Sequence, residues 1–129
     1  MKHVDSVILF VFNKNKDKVL MIERVKNHFG FDWGFVCGKF EEGETADECA
    51  VRELYEELGL KGLVLKKFKQ VKHKKDNETY YHYYYVTTIS ESAQKINFKK
   101  DEIKSVVWFK LNELPKSRAP DDPFEAISK

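Results

Sequence analysis

A chain of 129 residues is the size of one domain, and a hydrophobic content of 42% is enough to build a core. A net charge of +2 is too small to mark nucleic-acid binding. Two cysteines make no disulfide framework and point to a reduced, cytoplasmic setting. No apolar run reaches the roughly 18 residues of a membrane span, and the first residues carry no secretory pattern.

Taken in chain order, residues 4–12 are apolar and β-branched, which predicts a buried strand. A polar turn at 13–17 and a second strand at 18–25 complete a hairpin. Residues 26–32 read as a loop and 33–36 as a short strand. A helix follows at 46–58. Strands are expected at 62–71 and 79–90, joined by the polar turn 74–78. Residues 91–101 form a loop, 104–110 a strand, and 111–114 a turn before Pro115. The tail from Ser117 carries Pro and Asp, with a final helix at 123–128. Strands on either side of one helix make the chain α+β, with no internal repeat and no boundary inside 1–129.

The helix at 46–58 carries the chemistry. At about 100° per residue, Ala46, Ala50, Val51, Leu54 and Leu58 share one arc. Glu53 and Glu56 fall on the neighbouring arc, and Glu57 at the boundary. Thr45 is the expected N-cap, Glu48 completes a capping box, and Gly59 is the expected left-handed stop. Arg52 lies one turn from both Glu48 and Glu56, placed to fork onto a carboxylate. Crowded carboxylates repel unless a cation sits among them, and hard divalent cations take oxygen ligands and substrate phosphates.

Any two of these acids would suit an ordinary solvated helix. The joint pattern is Gly38, five residues, Glu44, seven residues, then Arg52-Glu53-Leu54-Tyr55-Glu56-Glu57-Leu58-Gly59-Leu60. Its fixed positions give a chance match on the order of 10⁻⁸ to 10⁻⁹ per start.

This pattern resembles the box of the Nudix hydrolases, with all nine defining positions met. Residues 33–39 look like the family's strand leading into the box. Glu102, Trp108-Phe109 and residues 111–114 look like its late strand and turn. The chain departs at Val36-Cys37, where many members have Pro-Gly, and at Glu42, where many have Pro.

The resemblance implies an α/β/α sandwich with a mixed sheet and one catalytic helix. It implies magnesium, with manganese as the alternative, held by Glu53, Glu56, Glu57 and the Gly38 carbonyl. Arg52 would orient the acids, Glu44 anchor the loop, and Glu102 act as a further ligand or general base. The implied reaction is hydrolysis of a nucleoside diphosphate linked to another group, foremost a MutT-like cleavage of a nucleoside triphosphate to monophosphate and pyrophosphate. ADP-ribose, dinucleoside polyphosphates and RNA 5′ ends are the alternatives, and a non-catalytic nucleotide sensor is the alternative of another class. The expected partner is a small nucleotide, with neither a membrane nor a stable nucleic-acid partner; a homodimer stays open.

The expected substrate-binding set is Arg24, Phe31, Lys39, Tyr81 and Tyr83. Strand alternation puts Tyr81, Tyr83 and Tyr85 on one face and Tyr80, His82 and Tyr84 on the other. Rings of the first set are candidates to stack on a base. Phe29, Phe31 and Trp33 are candidate walls of a base pocket, whereas His82 and Cys37 read as structural. The lysines of 66–69 and 72–75 are solvated edges or a cationic rim for polyphosphate.

Overall fold

In the computed structural model, the structure describes residues 3–28, 30–92 and 96–127, apart from the side chains of Asn27 and His28. Phe29, residues 93–95 of the expected loop, and Ser128 of the expected last helix lie outside the described residues.

Strand β1 (Ser6–Asn13) is the axis of the molecule. It is apolar at consecutive positions, so both of its faces are buried: Val7, Leu9 and Val11 on one side, Ile8, Phe10 and Phe12 on the other. Strand β2 (Lys18–His28) returns from a turn held by the Asn13 side chain, whose Oδ1 accepts the amides of Asp17 and Lys18 at 3.1 and 3.0 Å. The two strands meet at Phe12↔Val19 and then part. Into the gap run β3 (Phe31–Gly34), paired with β2, and β4 (Val36–Lys39), paired with β1.

This corrects two sequence expectations. The loop expected at 26–32 is largely strand, and the strand expected to end at 36 continues through Cys37, Gly38 and Lys39. The backbone groups of β1 need partners where β2 diverges, and β4 supplies them.

Strand β5 (Lys66–Lys75) pairs with β6 (Glu78–Ile89) through a two-residue turn. Asp76 and Asn77 both take left-handed backbone, with φ of 53° and 62°, as tight hairpins require. The strand expected from residue 62 starts only at Lys66, and Gly62 is left-handed at φ 74°. Strand β7 (Ile103–Lys110) lies on the outer edge of β2. β6 runs parallel to β1 while the other pairings are antiparallel, so the sheet is mixed.

Helix α1 (Ala46–Leu58) covers one face through Cys49, Ala50, Leu54 and Leu58. Val51, expected on the buried arc, is 52% exposed, and Glu57 is buried instead. The arc is turned so that the acid at its boundary, not the valine, faces inward. The short helix α2 (Phe124–Ile127) covers the other face with Ala126. Trp33 packs edge-on against Phe109 in that layer, at 4.9 Å between centroids, so it belongs to the core. The result is an α/β/α sandwich with one thick and one thin helical layer.

Candidate active site

Helix α1 begins as its first turn dictates. Thr45 has extended backbone, its hydroxyl accepts the Glu48 amide at 3.2 Å, and the Glu48 carboxylate accepts the Thr45 amide at 2.9 Å. Gly59 closes the helix at φ 70°, its amide donating to the Tyr55 carbonyl. A side chain there would collide with the Asn97 backbone. The helix is thus pinned at both ends, and its acids project at fixed angles.

Arg52 organises one set of acids. It donates from Nε and Nη2 to the two oxygens of Glu44 at 2.6 and 2.9 Å, and from Nη1 to Glu53 at 2.7 Å and Glu56 at 2.9 Å. Its Nη2 also reaches the Lys39 carbonyl at 3.0 Å. The Arg52 fork, followed by the Glu41 amide, holds the Glu44 carboxyl down at about 2. Hydrogen bonding to Glu44 pushes the Arg52 guanidinium above its ordinary value. Glu44 therefore ties the loop after Gly38 to the middle of α1.

Arg24 organises the other set. Its Nη2 donates to Glu57 at 2.8 Å and to the Phe35 carbonyl at 3.2 Å. Glu57 also accepts the Cys37 amide at 3.2 Å. Burial pushes the Glu57 carboxyl up; Arg24 pulls it back, and hydrogen bonding to Glu53 adds to the rise. The splayed sheet explains the meeting. Phe35 and Cys37 bracket the gap between β1 and β2, and Arg24 reaches it from β2.

Glu53 packs directly on Gly38, where even a methyl group would overlap its carboxylate. Glycine is required at 38 for that approach.

The structure gathers the predicted residues unequally. Glu53 and Glu57 come together beside Gly38 and Cys37. Glu56 pairs outward with Arg52, its side chain 45% exposed. Among the described residues, no three acidic, histidine or cysteine side chains form a metal-binding group. Two guanidinium groups supply the positive charge instead. The donors still suit a hard divalent cation: they are carboxylates and the Gly38 carbonyl, to which the Cys49 thiol makes a long contact at 3.9 Å.

Glu102 is exposed in the turn just before β7. Its carbonyl accepts the Val25 amide, and the next residue, Ile103, pairs with Arg24. Lys39 is exposed on β4, and Phe31 pairs with His28 at the outer end of β3. The Tyr81 amide donates to Asp5. Tyr83 sits 5.6 Å from Phe40, with the Lys67 ammonium 5.3 Å from its ring, so both neighbours compete for the stacking surface expected of it. The predicted alternation holds: Tyr83 and Tyr85 pack with the α1 layer and Tyr84 with the α2 layer.

One feature escaped the sequence reading. On the α2 face lies a cavity of about 370 Å³, lined by Phe68, His73, His82, Tyr84, Asp121 and Asp122 among others. The Tyr84 hydroxyl donates to Asp121 at 2.7 Å. The alternation that put His82 and Tyr84 on one face was the available signal; the tail carboxylates reach them only through the fold. Burial and then Glu57 push the Cys37 thiol up to about 12, and the Asp121 charge adds to this from the cavity side.

The family model for the NUDIX domain matches residues 2–128. The chain belongs to the Nudix family. Nudix family members are pyrophosphohydrolases. Among curated relatives, it is 42% identical over 59 residues to the 8-oxo-dGDP phosphatase NUDT18 of Mus musculus, covering 46% of this chain and 18% of that one. It is 28% identical over 102 residues to the m7GpppN-mRNA hydrolase dcap-2 of Caenorhabditis elegans, covering 77% and 13%. The chain thus spans under a fifth of the length of these two relatives. Among solved structures, the E. coli dihydroneopterin triphosphate pyrophosphohydrolase superposes with a TM-score of 0.68 at 22% identity, over 85% of each chain. That likeness establishes the Nudix fold.

Proposed function

We propose that this Nudix chain is a divalent-cation-dependent hydrolase of nucleoside triphosphates, releasing a nucleoside monophosphate and pyrophosphate. The observation that carries the reading is the packing of Glu53 and Glu57 against the backbone of Gly38 and Cys37.

Glu53, Glu57 and the Gly38 carbonyl would hold magnesium or manganese, whose charge would stabilise the phosphoryl oxygens and favour ionisation of a water. The chain's own groups do the positioning. Arg52 fixes Glu53 and, through Glu44, the loop. Arg24, paired with Glu57, and Lys39, exposed on β4, are the candidate phosphate contacts. Glu102 is the candidate general base outside the box, and Glu102→Gln should lower kcat while leaving Tm unchanged. In the cavity on the α2 face, Phe68 and Tyr84 offer ring faces, and Asp121 and Asp122 offer acceptors for base N–H groups.

A second reading is an RNA 5′-end pyrophosphohydrolase. It is favoured by Lys66, Lys67, Lys72, Lys74 and Lys75, all exposed along the edge strand β5. A cytoplasmic location belongs to either reading and is supported by the two free thiols. Among the described residues, no helix is long and apolar enough to cross a membrane.

A panel of ribo- and deoxyribonucleoside triphosphates, ADP-ribose, a dinucleoside polyphosphate and 5′-triphosphorylated RNA tests this, with products identified by ³¹P NMR. The expected result is monophosphate and pyrophosphate from a nucleoside triphosphate, abolished by chelation. Binding without turnover of any member would make the chain a sensor instead.

A further inference from the structure

We propose that the α1-side face of the hairpin formed by β5 and β6 is a binding track for single-stranded RNA, with a base stacked on Tyr81 and phosphates held by Lys67, Lys72 and Lys74. The proposal goes beyond both readings above, because RNA with a 5′-hydroxyl end, which carries no pyrophosphate to cleave, is enough to test it.

Strand β5 carries six lysines in ten residues and no acid. The net charge of +2 averages this concentration away. Alternation alone would put Lys67 on the opposite face from Lys72 and Lys74, but a bulge between Lys67 and Lys69 changes the phase. Phe68 and Lys69 both turn to the α2 side, where Phe68 meets Phe10 and Lys69 meets Tyr84 and Glu125. Lys67 thereby joins Lys72 and Lys74 on the α1 side. Its ammonium lies over the Tyr83 ring, while Lys72 and Lys74 stand opposite Tyr81 and Thr79. All three lysines are exposed.

Lysines on an edge strand also block pairing with another sheet. That role needs no aromatic rings between the charges. Here Phe40, Tyr83 and Tyr81 form a half-buried row, with successive centroids 5.6 and 6.1 Å apart. Phe40 and Lys67 brace Tyr83, which leaves Tyr81 at the outer end as the ring for a base. The Asp5 carboxylate beside it is occupied by the Tyr81 amide. Single-strand binders combine the same two parts, rings on which bases stack and cations that follow the backbone. A duplex keeps its bases inside and has no use for the rings.

The track leads to the carboxylates. Gly38, Val7, Tyr83 and Gln70 lie side by side across β4, β1, β6 and β5. At about 4.8 Å between strands, the Tyr83 backbone is roughly 10 Å from Gly38. A 5′-triphosphate at the end of an RNA strand is an anhydride of the kind Nudix enzymes cleave, and a strand lying on these rings can present that end to the site. This favours RNA over DNA as the occupant.

The test is fluorescence anisotropy on the full chain at low salt, with 3′-labelled, 5′-hydroxyl oligouridine about two and about ten nucleotides long. The longer strand should bind about tenfold tighter or better. Tyr81→Ala should weaken its binding about tenfold. Lys72→Gln/Lys74→Gln should weaken it to a similar degree and lower the slope of log affinity against log salt by about 1.4. Lys66→Gln/Lys75→Gln removes two exposed lysines from the α2 side of the same strand and should cost no more than about twofold. Equal losses from the two lysine pairs, or wild-type affinity in Tyr81→Ala, would mean that charge alone attracts the strand, and would overturn the track. Equal affinity for both lengths, or no binding, overturns it as well. If Tyr81→Ala does not fold, the aromatic NMR signals of Tyr81 in wild-type protein decide: they should shift when the longer strand binds, and unmoved signals sink the proposal. Failure to hydrolyse any nucleotide or RNA 5′ end would overturn the readings of the carboxylate site and leave the track standing.

Discussion

On the α1 face, Glu44, Glu53, Glu56 and Glu57 each hold a guanidinium group; on the α2 face, a buried imidazole nitrogen has no partner and a cavity stands beside it. The two regions differ in what folding finishes. Around α1, two arginines pair with the crowded acids and fix their orientation. Beside the cavity, one buried imidazole nitrogen is left without a hydrogen-bond partner among the described residues.

The largest effect should come from removing a charge on the finished side. Glu57→Gln preserves shape and the Cys37 amide contact. It should lower kcat by about 10²–10³, and Tm should fall as well, because the buried Arg24 guanidinium loses its anion. Steady-state kinetics beside thermal melts reads both quantities. A variant with normal turnover would remove Glu57 from the chemistry.

The next effect is on stability. Arg24→Ala strands Glu57 without its cation and should cost about 3 kcal/mol in urea unfolding. The double variant Arg24→Ala/Glu57→Gln should recover most of that loss, since no unpaired charge remains. Additive losses would mean that the pair is not coupled.

A smaller change is expected across the sheet. Tyr84→Phe removes the bond to Asp121 and should cost about 1 kcal/mol. A loss as large as that at Arg24 would erase the contrast between the faces.

The smallest is a pH effect. The Glu44 carboxyl lies below its ordinary value of 4.5, so its contribution to stability is complete above that pH and fades as pH falls towards about 2. The acid limb of a Tm-against-pH curve should therefore be shallower in Glu44→Gln. An identical limb would show that the Arg52 fork adds nothing to folding.

Legibility from sequence followed the range of the interaction. Helix α1 was readable to the residue, because Thr45, Glu48 and Gly59 act within one turn of the ends they define. The arc was misjudged at Val51 because a helical wheel gives angles but not where the sheet lies. The split of residues 31–39 into β3 and β4 was hidden because it answers a need of β1, whose partner diverges elsewhere. The pairing of Arg24 with Glu57 spans 33 positions and depends on that divergence, so no local pattern announces it. Asp121 and Asp122 read as tail residues because only α2 and its approach bring them beneath Tyr84 and His82.

The place of β1 has a consequence for how fast the chain reaches this state. Its parallel partner is β6, and the Tyr81 amide meets Asp5 across 76 positions of chain. Closing so long a loop comes before the contacts that repay it, and such topologies fold slowly. The capped helix α1, by contrast, is stabilised by neighbours in sequence. In stopped-flow refolding, a core substitution in β1 such as Val11→Ala should slow the main phase, while the cap substitution Thr45→Ala should speed unfolding instead.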